Sequence, residues 1–183
     1  MTRPLYRRVL GPAFDALPPR VRQLHDLDGT SVWEGVADVE RGPSLASRLA
    51  GWLTRLPPAG SALPLRVTFE AVGDRELWSR RFGSALFSST QYQRGAFLVE
   101  RVGPTTFVFA CEATAETLKL RLARFRALGI PLPRFMHPLV QTCESERDGR
   151  YHFEVEAHLP LFGLLVRYSG WLEPRRAKSC RAQ

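Results

Sequence analysis

From residue 63 onward the chain is punctuated by turn signals: Gly73-Asp74, Gly83, Arg94-Gly95, Gly103-Pro104 and Asp148-Gly149. They recur at the spacing of short antiparallel strands and divide segments rich in β-branched and aromatic residues. The alternation is plain in Leu65, Val67, Phe69 and again in Leu118, Leu120, Leu122. Strands are predicted at residues 31–39, 65–71, 76–82, 85–91, 97–102, 106–111, 117–125, 139–146, 151–158 and 164–172. Residues 117–128 also fit a helical face, so strand and helix both stand there. A meander of about ten strands curls and closes, because open edges invite association. The expected fold is therefore mostly β with minor α: an antiparallel, calycin-like barrel, closed or partly open.

Helical pieces punctuate the amino-terminal end. Leu5 to Leu10 and Phe14 to Leu17 are separated by Gly11-Pro12, and Pro18-Pro19 opens a further helix carrying Val21, Leu24 and Leu27. Between the first and second strands, Ser44 caps a helix at residues 44–56 with an apolar stripe of Leu45, Leu49, Trp52, Leu53 and Leu56. Its first reading is a lid packed by that stripe over one barrel mouth, and its second is a helix lying on a membrane surface. Residues 1–174 make one domain, with 1–29 as a helical prefix, and 175–183 form a basic, disordered tail.

The chain has 183 residues and a net charge of +8. Lys119 and Lys178 are its only lysines. Arginine abundance of this kind follows from a GC-rich genome, and no helix carries a dense basic stripe, so nucleic acid is not the expected partner. Cys111, Cys143 and Cys180 show neither disulfide nor zinc spacing. The four histidines have no helical metal spacing, and His152 and His158 read as a solvated strand face. No metal or cofactor motif is present. The polar, basic start does not read as a secretory signal, so a cytoplasmic location is expected.

The hairpin at Asp148-Gly149 allows two registers. A two-residue loop opposes Glu146 to Tyr151 and places Glu144 on the face of Phe153. A three-residue loop keeps the charged residues on one face, and is preferred on that ground. The polar cluster Arg80, Ser89, Gln91 and Glu100 falls on adjacent strands and supplies candidate ligand contacts in an apolar cavity. General acid–base work by Glu100 beside Arg80 lacks a nucleophile or a second titratable partner. Whether the protein is an enzyme is left open.

Residues 5–25, Arg81 to Ser84, Gln91, Glu100 to Pro104, Gly129 to Pro133, Tyr151 to Val155 and Gly163 to Trp171 resemble a bacterial family of domains of unknown function. The family occurs alone or joined to NAD(P)-binding reductase or epimerase domains. It implies no catalytic residues, and it makes a reductase-like protein an expected partner. The leading functional reading is a small lipophilic or amphipathic molecule held in the barrel, which calls for a cavity of roughly 300 Å³.

Overall fold

The computed structural model describes residues 3–175. Eleven strands run in chain order: β1 (Thr30–Arg41), β2 (Gly60–Val72), β3 (Arg75–Phe82), β4 (Ala85–Arg94), β5 (Phe97–Val102), β6 (Thr105–Ala113), β7 (Thr117–Ala127), β8 (Ile130–Pro131), β9 (Leu139–Arg147), β10 (Arg150–Leu159) and β11 (Gly163–Pro174). Residues 117–128 thus resolve as strand. Each strand pairs antiparallel with its neighbours, β6 joins β7, β7 joins β9, and β1 joins β11. Ten strands therefore close into a barrel, with the two-residue β8 as an outlying stub on β7. Register shifts in the β1–β2, β6–β7 and β10–β11 ladders, with the extra residues on β2, β7 and β11, bend the strands where the wall must curve.

Closure creates two mouths. The helices α1 (Leu5–Leu10) and α2 (Pro19–His25), joined by a 3-10 turn at Gly11–Ala16, plug the lower one. Leu5, Tyr6, Phe14, Val21 and Leu24 are buried there. Polar ties fix the plug. Arg8 donates to the Asp74 carbonyl (2.8 Å), and the Arg20 side chain donates to the Gly149 carbonyl (2.6 Å). Arg7 clasps Asp26 across the prefix (3.0 and 3.2 Å).

The helix α3 (Leu45–Leu53) lies at the upper mouth, with Ser44 accepting the Ser47 N–H as its cap (3.1 Å). Its orientation corrects the expected lid. The buried positions are Ser47 and Gly51, not the leucine stripe. Ser47 donates to the Leu164 carbonyl (2.7 Å), and Arg41 passes beneath the helix to the carbonyls of Leu56 and Pro57. A Cβ on Gly51 would sit 1.6 Å from the Arg41 guanidinium, so only glycine allows this approach. Leu45, Leu49, Trp52 and Leu53 face outward.

The β9–β10 hairpin adopts the other register. Tyr151 opposes Glu146 and Phe153 opposes Glu144, across a two-residue turn with both Asp148 and Gly149 at positive φ (51° and 71°). Left-handed conformation at both positions marks a type I′ turn, whose twist matches the flanking strands. Charge segregation misled because Glu144 is an interior carboxylate, satisfied by a partner from the prefix. At the end of the described residues, Pro174 completes β11 and the Arg175 N–H still donates to the Val32 carbonyl (2.9 Å). The rest of the expected tail, residues 176–183 with Cys180, lies outside the described residues.

The turn yields a direct test. Gly149→Val forces a β-branched residue into left-handed backbone and should cost about 1–2 kcal/mol, or roughly 2–8 °C in Tm for a domain of this size. Asp148→Asn, which keeps the turn chemistry, should leave Tm unchanged or raised. Calorimetry of both variants checks the register.

Candidate lumenal ligand site

Alternation on β3, β4 and β5 sends Glu76, Trp78, Arg80, Ser89, Gln91 and Glu100 to the barrel interior. Gln91 is directly opposite Glu76 on one side and Glu100 on the other. The four residues singled out from the sequence form one connected chain. Arg80 donates to Ser89 Oγ (2.9 Å) and to Glu100 Oε1 (3.4 Å), and Gln91 Nε2 donates to the same Glu100 oxygen (3.2 Å). Tyr6, from the prefix, donates its phenol to Gln91 Oε1 (3.0 Å). The Arg80 guanidinium lies over the Trp78 and Phe87 rings, 4.9 and 5.4 Å from their centroids. With side-chain exposures of 11% and 18%, Arg80 and Glu100 form an ion pair well shielded from bulk water.

Below this chain is a polar floor. His25 Nε2–H donates to Glu144 Oε2 (2.5 Å), and the His25 ring stacks on Tyr6 with centroids 3.7 Å apart. Trp78 donates its indole N–H to Glu76 (3.0 Å). Burial, reinforced by the nearby Glu144 charge, holds the Tyr151 phenol far above its ordinary pKa. Burial pushes Tyr168 up to about 12. Both are therefore hydroxyl donors at neutral pH rather than phenolates. Cys111, also pushed up to about 12 by burial, is an inert thiol there.

The remaining wall is apolar, and the free space is modest. The cavity inside the barrel measures about 150 Å³. That is half of the 300 Å³ expected for a drug-sized ligand, and the expectation is corrected on this point. Inward-pointing Phe69, Phe82, Phe107 and Phe109 occupy the space that smaller side chains would leave. A void of this size still accepts a benzene-sized molecule. A second recess of about 1110 Å³ lies against the outer wall where β7 and β9 separate beyond Arg121. Leu120, Val140, Thr142, Val155 and Tyr168 line both spaces.

His25, Glu76 and Glu144 escaped the sequence reading. Glu76 shares the alternation of Trp78, Arg80 and Phe82, which is a usable signal. Glu144 was hidden by the choice of register. No pattern along the chain marks His25, whose role depends on the plug that carries it docking on β9, far away in sequence.

The sequence matches the model of a domain of unknown function, DUF4166, over residues 17–172. The chain belongs to the DUF4166 family. Its matched span contains the barrel wall but for the last two residues of β11, and every polar lumenal residue above except Tyr6. No curated protein matches the sequence. For DUF4166, then, function has to be read from the lumen itself.

Glu76 supplies a pH test. Burial raises its pKa, against the opposing Trp78 hydrogen bond. The ionised form thus costs more in the folded than in the unfolded protein. The associated stability is present below the ordinary carboxylate pKa and is lost as pH rises through the raised value. Glu76→Gln keeps an acceptor for Trp78 and should raise Tm by a few degrees at pH 7.5, with the gain shrinking towards zero near pH 4. Thermal denaturation across that range measures it, and an equal gain at both pH values would refute the burial argument.

Proposed function

We propose that the barrel binds a small lipophilic or amphipathic molecule, its polar end at Arg80, Ser89, Gln91 and Glu100. One observation carries this: Arg80, Ser89, Gln91 and Glu100 converge on one side of a mostly apolar cavity within the barrel, the usual furnishing of a small-molecule site. Arg80 and Glu100 neutralise one another, so the pair offers both donors and acceptors without a net charge. That favours a neutral hydroxyl or carbonyl head over an anion or a cation, each of which would break the pair and leave one charge buried. The cavity volume limits the enclosed part to about one ring or a short chain. A longer tail has a route past Leu120 and Val140 into the outer recess.

A series of six-carbon probes tests the reading: hexane, hexanol, hexanoate and hexylammonium, each followed by its shift in Tm. Binding to the folded state alone raises stability by RT ln(1 + [L]/Kd). Hexanol should give the largest shift. Arg80→Met should weaken hexanol binding roughly ten- to a hundredfold, the effect of losing a charged hydrogen-bond donor. Val140→Trp, which fills the lumen, should abolish it. Equal shifts for all four probes, or no shift with any, would overturn the proposal.

A further inference from the structure

The upper mouth combines two features that the lumen does not explain. The first is apolar exposure. Of the thirteen exposed large apolar side chains in residues 3–175, all except Val72 lie at or beside this end. They protrude from α3, from the β7–β9 connection and from the β10–β11 turn, with Leu86 beside the β3–β4 turn. Trp52 is 74% exposed, Leu128 and Phe135 are each 79% exposed, and Leu161 is fully exposed. These segments meet around one rim. The Gly42 N–H donates to Leu165, the Leu128 N–H donates to Pro104, and Gly103 lies against Leu53 and Thr54.

The second feature is charge. Residues 41–63, 83–86, 102–105, 122–140 and 159–166 build this end, and together they contain six arginines and not one Asp or Glu. Arg48, Arg55, Arg124, Arg126 and Arg134 are exposed, and none forms an ion pair among the described residues. The nearest acids sit lower on the wall and are engaged: Glu40 pairs with Arg167, and Asp38 accepts the Ala62 N–H. The opposite end carries Asp15, Asp26, Asp28, Asp74, Glu116 and Asp148.

We infer that the upper rim docks on a lipid bilayer bearing anionic headgroups. The arginines would meet phosphates while Trp52, Phe135 and Leu161 enter the interface. A bilayer fits because the apolar groups are spread over several separate segments around the rim, α3, the β7–β9 connection and the β10–β11 turn among them, rather than gathered on one element. An unpaired, acid-free arginine ring complements a negative surface. The outer recess opens beside the same rim, at Arg134, His137 and Leu139. The inference does not require an occupied lumen, so vesicle binding and the six-carbon probes fail independently.

Co-sedimentation with phosphatidylcholine vesicles, with and without 30% phosphatidylglycerol, tests it on the whole chain. The protein should bind the anionic vesicles, weaken with added salt, and bind neutral vesicles poorly. Arg48→Gln, Arg55→Gln and Arg134→Gln combined should lower partitioning roughly a hundredfold, about fivefold per residue. Arg3→Gln, Arg94→Gln and Arg147→Gln combined remove equal charge from elsewhere and should change it less than twofold. Trp52→Ser with Leu161→Ser should lower it at least tenfold, and circular dichroism confirms the fold of each variant. The proposal fails if the folded protein does not bind anionic vesicles, or if both arginine sets weaken binding equally. It fails also if the Trp52 and Leu161 substitutions have no effect, or if they abolish self-association in a protein that ignores vesicles.

Discussion

The pairing of the first strand with the last runs from Trp33 opposite Pro174 to Arg41 opposite Val166, and most of the architecture follows from it. Once β1 and β11 join, the sheet has no long open edge and its inner face becomes an enclosed space with two ends. The prefix, which enters just before β1, is left at the lower end, where Tyr6 and His25 become part of the interior. The connection between β1 and β2 is left at the upper end as α3. Plug, polar floor, lumenal cluster and arginine rim all take their places from that single closure.

Much of this order was legible along the chain. The turn dipeptides are local devices, so ten strands emerged with their boundaries close to those observed. The meander left few ways to arrange them. The lumenal four also emerged, because antiparallel neighbours of known register bring Gln91 opposite Glu100 whatever the rest of the barrel does. What failed depended on tertiary partners. An isolated carboxylate avoids an apolar face, which predicts Glu144 in solvent, yet the plug supplies His25 to receive it. The usual rule for amphipathic helices packs the leucine stripe of α3 onto the barrel. The core had no need of it, since Ser47 and Gly51 pack more closely on β11 and Arg41.

The arginines show the same lesson in electrostatics. Along the sequence they are scattered, and abundance alone accounts for their number. Folding sorts them in part: Arg7, Arg121, Arg147 and Arg150, at the lower end and on the walls, find carboxylates, while the five exposed arginines of the upper rim find none among the described residues. Net charge therefore described the molecule less well than the asymmetry that closure creates.

The central claim is that the interior, not the outer surface, holds a small molecule by its polar side. A crystal structure of the protein equilibrated with hexanol addresses it directly. The account predicts the alcohol inside the barrel, with its oxygen within hydrogen-bond distance of Arg80 or Glu100 and its chain directed towards Leu120 and Val140. An empty lumen at saturating alcohol, or hexanol found only on the exterior, would contradict it.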